Sequence, residues 1–328
     1  IEQTTLRRTF HRAAYHPASP VVRPDRPWEH DPGMGKPCAM VFSDGVWYDP
    51  SEKVFKMWYM GGYCLATCYA TSRDGIRWET PALDAAGTNI VLKMSRDSTT
   101  VWLDAEASRP ERRWRMFLVK QRRDERGGCD YYLYDSADGI QWGEPRATVW
   151  AGGDRSSIFY NPFRQRWVYS VRASGEGVGR ARLYAECTDL AEALGRLDEI
   201  GRWWTCSDRL DPRNPNAALK DVEPELYNLD AVAYESVLLG LFSIWQGDPG
   251  RPGEKRNEVL LGFSRDGFHW DRPDRRPFAG VNETDGAWNW GNMQTAGGGC
   301  LGGGGERAFG GGGRAKHRSE GAASTGRA

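Results

Sequence analysis

Short runs in which apolar and polar residues alternate, with the two-residue period of a half-buried strand, recur along most of this chain. Each follows one layout: an aromatic strand, a polar turn, then another aromatic strand. It reads Val46-Trp47-Tyr48-Asp49-Pro50 then Phe55-Lys56-Met57-Trp58-Tyr59, and again Val101-Trp102-Leu103-Asp104 then Trp114-Arg115-Met116-Phe117. A further version is Ile158-Phe159-Tyr160-Asn161-Pro162 then Trp167-Val168-Tyr169. The pattern predicts strands at all of these, and a short helix only near Ala191 to Leu197.

A second signal lies downstream of the aromatic strands. Ser72-Arg73-Asp74-Gly75-Ile76-Arg77-Trp78 recurs as Ser136 to Trp142 and as Ser264 to Trp270, three copies of S-x-D-G-x-x-W. Asp-Gly is a hairpin turn signal, the serine can bond its own turn backbone, and the tryptophan can staple the hairpin to its neighbour. Trp78, Trp142 and Trp270 are therefore read as staples rather than as ligand platforms. The third unit lacks a clean copy and offers Cys187-Thr188-Asp189-Leu190, then Trp203-Trp204; the fourth begins near Tyr227-Asn228-Leu229-Asp230. Units of sixty-odd residues with four strands each are propeller blades, and a fifth starts at Ala287-Trp288-Asn289-Trp290. The expected fold is all-β, a five-bladed β-propeller over residues 1–296 with the fifth blade incomplete or irregular. Tandem sandwiches are the alternative. From Gly297 the sequence dissolves into glycine and a polar basic tail, so 297–328 is expected to be disordered. Ring closure would then need a strand from Thr9 to Val22, or the ring is open, or the tail's code has been altered, for instance by a reading-frame error.

Composition narrows the function. Lysine plus arginine and aspartate plus glutamate both total 44, so no long-range field favours nucleic acid or an acidic membrane. No apolar run is long enough to span a bilayer. Fifteen tryptophans and thirteen tyrosines permit a sugar site without requiring one. Seven cysteines, an odd number without a CxxC pair, indicate neither a zinc knuckle nor a disulfide framework; Cys64 and Cys68 read as packing thiols on one strand face. Five scattered histidines, no G-x-S-x-G and a glycine tail without a phosphate-loop lysine leave no cofactor expected. The first residue, Ile1, is not methionine, which points to a missing leader and favours a secreted or periplasmic location. Oligomeric state is not encoded in any of these features.

With its three S-x-D-G-x-x-W turns, Phe55 to Tyr59, and Ser264 to Pro273, the stretch from about Pro20 to Gln294 resembles the five-bladed propeller glycoside hydrolases of families 43 and 32. The resemblance implies a carbohydrate substrate and acidic residues donated by the innermost strands of successive blades, and it is compatible with a calcium ion in the axial channel. Glycoside cleavage needs one carboxyl as proton donor and another as base or nucleophile, about 5 to 9.5 Å apart.

Candidate carboxyls lie ahead of the aromatic turn in each unit. The first unit offers Asp44, preferred over Asp31 in Trp28 to Gly33, which faintly echoes the family-32 W-x-N-D-P-N-G motif; Asp44-Gly45 also reads as a plain hairpin turn. The second offers Arg96-Asp97, which resembles the arginine-aspartate pair of family 32, with Asp97 as transition-state stabiliser held ionised by Arg96. The third offers Asp154-Arg155 in the same register. The fourth offers Glu223 and Glu225 in Asp221 to Tyr227, with Glu225 preferred as the general acid. Solvated loop or rim positions remain the competing reading for these pairs. Arg96, Arg155, Glu223, Tyr227, Trp288, Trp290 and Gln294 are the expected substrate-binding residues. The expected function is cleavage of glycosidic bonds in an oligo- or polysaccharide, with a non-catalytic carbohydrate-binding or protein-interaction propeller as the alternative.

Overall fold

The computed structural model describes residues 5, 7, 9–30, 37–248, 256–303 and 306–314. Almost every regular element is a strand. The first unit comprises β1 (Ala39–Asp49), β2 (Val54–Gly61), β3 (Ala66–Ser72), β4 (Trp78–Glu79) and β5 (Ile90–Leu92). The second has β6 (Thr99–Leu103), β7 (Trp114–Gln121), β8 (Cys129–Ser136) and β9 (Ala147–Ala151). The third has β10 (Ser157–Asn161), β11 (Arg166–Gly175), β12 (Gly179–Cys187) and β13 (Arg202–Cys206). The fourth has β14 (Glu225–Tyr234), β15 (Val237–Gln246) and β16 (Arg256–Ser264), with single bridges at Asp271 and Ala279 along its outer edge. Within each unit successive strands pair antiparallel, except that in the first unit β4 and β5 both pair with β3. The expected helix is split into α1 (Leu190–Leu194), whose first N–H groups are capped by the Asp189 carboxylate, and α2 (Leu197–Ile200).

Strands β17 (Asn292–Gly303) and β18 (Glu306–Arg314) form an antiparallel pair. β17 bridges in parallel to β16 and to β1, so the leading strands β1, β6, β10, β14 and β17 adjoin one another in turn about a common axis. This pair stands where a fifth blade is expected. The glycine-rich stretch after Gly297, expected from sequence to be disordered, instead carries β17 to Gly303 and β18 from Glu306 to Arg314. The reason is that backbone groups carry the pairing on both sides of β17, and absent side chains let the strands approach closely. A Cβ on Gly312 of β18, for example, would lie 2.5 Å from the Val41 carbonyl oxygen of β1. Residues 315–328 lie outside the described residues.

The stretch from Thr9 to Val22 supplies no strand. It runs as an extended strap over the fourth unit, with Ala13 N–H donating to the Phe278 carbonyl, Tyr15 Oη donating to the Gly280 carbonyl, and Phe10 packed 6.4 Å from Phe263. Val22 and Trp28 then pack against the first unit.

The turn motifs explain the regular packing. In the second copy Ser136 Oγ accepts from Gly139 N–H, and Asp138 Oδ1 accepts from the N–H groups of Ile140 and Gln141, both at 2.8 Å. Gly139 has φ of 79°, which a side chain would oppose, and its carbonyl receives Trp58 Nε1 from the first unit at 2.7 Å. The second turn therefore locks itself and is tied to the first unit, and the third is tied to its neighbour by Asn161 and Trp204, whereas in the first the Gly75 carbonyl accepts from the turn's own Trp78. Trp142 is buried in the core beside Trp58 and Trp114. Cys68 lies buried in β3, whereas Cys64 sits in the preceding turn rather than on the same strand face.

Candidate functional site

The three turn motifs lie at one end of the sheets, and Asp97, Asp154 and Glu225 lie at the other, where β6, β10 and β14 begin. Local backbone geometry positions each acid. The register of β1 shifts between Met40 and Gly45, with Ser43 at φ of 66°, and this bulge turns Asp44 inward. Asp44 is therefore a mid-strand residue and not a hairpin turn. It is fully buried, accepts Phe42 N–H at 2.6 Å, and is gripped on both oxygens by Arg96, at 2.5 and 3.0 Å. Burial pushes this carboxyl up, against the pull of the guanidinium. Asp31, the other first-unit candidate, lies outside the described residues.

Arg96 thus holds Asp44 rather than the adjacent Asp97. Asp97 is 9% exposed and accepts from two neutral donors, Gln121 Nε2 at 3.1 Å and the Arg155 backbone N–H at 3.2 Å. The same Gln121 nitrogen reaches Asp154 at 3.4 Å, so the two aspartates are close neighbours. Burial, and after it the charge of Asp154, push the Asp97 carboxyl up to about 6. Asp154 is itself ion-paired with Arg172.

Glu225 opens β14 and is ion-paired with Arg180 at 2.7 Å. The Arg180 guanidinium lies 4.0 Å over the Trp245 ring and 5.6 Å from Tyr227. Burial, then the charge of Asp97, raises the Tyr227 hydroxyl. Phe42 lies 6.5 Å from Tyr227 and 4.0 Å beneath Arg155.

The other expected binding residues divide. Arg155 and Gln294 meet, with Arg155 Nη2 donating to Gln294 Oε1 at 2.9 Å, but both are buried and act on one another and on Ser43 rather than on a ligand. Arg96, locked on Asp44 and buried, is likewise unable to touch a sugar. Glu223 is exposed and paired with Arg213, outside the cluster. Trp288 packs against Tyr15 at 5.4 Å as core of the strap, and Trp290 lines a separate small hollow with Asn214, Arg256 and Glu283. The sequence reading missed Gln121, Arg172, Arg180 and Trp245, because nothing local marks a strand arginine as the partner of an acid on another strand.

Beneath the cluster, Asp230 accepts from Ser43 and Thr295, and Asn228 donates to Ser43 at 3.2 Å. Arg155 and Arg182 close the axis with cations, so these residues do not fit an axial calcium ion. Among the described residues no three histidine, cysteine, aspartate or glutamate side chains gather to hold a metal.

No protein-family model and no curated protein matches the chain. Solved structures do. An endo-1,4-beta-xylanase from Bacteroides thetaiotaomicron is 11% identical with a TM-score of 0.49, covering 74% of this chain and 77% of its own. A fructofuranosidase from Schwanniomyces occidentalis, complexed with fructosylnystose, is 17% identical with a TM-score of 0.49, covering 78% of this chain and 49% of its own. A thermostable family-43 glycoside hydrolase is 10% identical with a TM-score of 0.53, covering 75% of each chain. The structural neighbours are glycoside hydrolases, and the chain has their β-propeller fold.

Proposed function

We propose that this propeller cleaves glycosidic bonds in an oligo- or polysaccharide, with Asp97 as the carboxyl that carries the proton. One observation supports this above the others: Asp97 bonds only to neutral donors, whereas Asp44, Asp154, Glu223 and Glu225 each face a guanidinium. A general acid must hold a proton near working pH, which a buried carboxyl beside an ionised one does. The roles expected from sequence for Asp97 and Glu225 are accordingly exchanged. Asp97 donates its proton to the leaving oxygen, the charge of Asp154 helps to keep that proton on Asp97, and Glu225, ion-paired with Arg180, acts on the attacking water or on the anomeric carbon. Tyr227, only half-buried, offers a face for the sugar ring, with the buried Trp245 behind it.

A second reading is a non-catalytic carbohydrate-binding propeller, favoured by the pairing of Asp44, Asp154 and Glu225 with arginines. Reducing-sugar release from a plant and algal polysaccharide panel separates the two readings. Wild type should release product and Asp97→Asn should not, with Glu225→Gln also impaired. Calorimetric binding without turnover in wild type selects the second reading, and equal turnover by Asp97→Asn removes Asp97 from the chemistry.

A further inference from the structure

The acid-bearing end of the sheets also gathers arginines. Arg172 on β11 stands opposite Arg182 on β12, and Arg180 lies two residues from Arg182, so the three share one face of the β11–β12 hairpin. Arg182 is fully buried and donates to Ser170 and to the Arg155 carbonyl, and Arg155, also fully buried, donates to Ser43 and Gln294. Neither guanidinium meets a carboxylate among the described residues. Their charge is felt: burial, and then repulsion from Arg155, lower Arg182 to about 9.

Nearer the surface, the side chains of Arg172 and Arg180 are 25% and 15% exposed. Each spends one terminal nitrogen, Nη1, on a carboxylate, Asp154 or Glu225, and the Nη2 of each has no acceptor among the described residues. Unpaired guanidinium donors beside a Trp245 and Tyr227 wall are poorly served by a neutral hydroxyl and well served by an anionic oxygen, which gives a charge-assisted bond. Asp154 and Glu225 do not repel such a group strongly, since each is already matched by its own arginine, and Asp97 carries no charge while protonated.

Resting on the reading of this end as a sugar site, we propose that the ligand is an acidic saccharide whose carboxylate or sulfate ester is received by Arg172 and Arg180. Arg155 and Arg182 add a favourable field from below. A neutral sugar could still stack on the aromatic wall but would leave those donors unanswered.

The test measures binding, not turnover, using the full chain carrying Asp97→Asn so that hydrolysis does not interfere. Calorimetry compares an oligogalacturonide, the same oligosaccharide after reduction of its carboxyl groups, and a sulfated oligosaccharide. At least one acidic ligand should bind about tenfold or more tightly than the reduced one, and its affinity should fall as salt rises. Which acidic arm binds distinguishes carboxylate from sulfate recognition. Arg172→Gln and Arg180→Gln, each checked for an intact melting transition, should erase that preference, and Arg180→Lys should keep part of it because the charge survives without the planar fork. Equal binding of acidic and reduced sugars, failure of every acidic sugar to bind, or an unchanged preference in both folded glutamine variants overturns the proposal. Release of product by wild type from neutral sugars alone would overturn it while leaving the hydrolase reading standing. Acidic-sugar binding without turnover in wild type would do the reverse.

Discussion

The two ends of this propeller use the same residue, aspartate, in opposite ways. At the turn end, Asp74, Asp138 and Asp266 accept backbone N–H groups within their own hairpins, and all three carboxyls are held below the usual range. For Asp138 and Asp266 burial pushes the other way and the hydrogen bonds prevail. At the opposite end Asp97 is buried against another acid and is driven upward. The contrast teaches that an aspartate satisfied by its own turn is architecture, while one satisfied only by neutral donors beside a like charge is available for proton chemistry.

The largest effect expected from disturbing this contrast is at Asp97. If the site is hydrolytic, Asp97→Asn should lower the rate by about 10²- to 10⁴-fold, the usual contribution of a general acid. The wild-type rate should fall as pH rises through about 6, because the protonated form is the active one. Stability should move the other way in the variant. A carboxyl raised in the folded state weakens folding as pH rises from its unfolded value through about 6, so the asparagine variant should melt higher than wild type at pH 8 and lose that advantage near pH 4. An unchanged melting difference across that range would contradict the assignment.

The residue just before it in the chain gives the sharpest control. Arg96→Ala strips the partner from a fully buried carboxylate and should cost about 3–5 kcal/mol, measured by denaturant unfolding, with little of that cost recovered by salt. A smaller effect is expected at the turn end, where Asp138→Ala removes two backbone hydrogen bonds and should cost about 1–3 kcal/mol without altering ligand binding. Smallest of all, Glu223→Gln should leave melting and binding within error of wild type, since its pair with Arg213 is exposed. Weakened binding in that variant would extend the site onto the loop before β14.

The turn end was largely legible in the sequence because the bonds that shape each turn lie within a few residues, as among Ser136, Asp138 and Gly139. The acid-bearing end was legible only in part. Asp97 and Asp154 stand out because both precede a leading strand at the same offset, but their roles depend on who pairs with whom. The sequence reading places Arg96 on its neighbour Asp97, and the bulge at Ser43 brings Asp44 to it instead. Glu225 reads as a raised acid beside aromatics until Arg180, far away in the chain, is placed on it. Trp288 and Trp290 carried the composition of a sugar platform, and packing against Tyr15 and a position beside Arg256 gave them other surroundings. The glycine-rich strands were illegible for a different reason, since their pairing is carried by backbone groups that no side-chain pattern announces.

That pairing has a consequence for synthesis. β1 leaves the ribosome before every other described strand, yet its parallel neighbour β17 emerges only after the second, third and fourth units have been made. Until then one edge of β1 stays open, a ready template for a second nascent copy. The strap of residues before β1, which docks on the equally late stretch around Phe278, has no berth to occupy in the meantime.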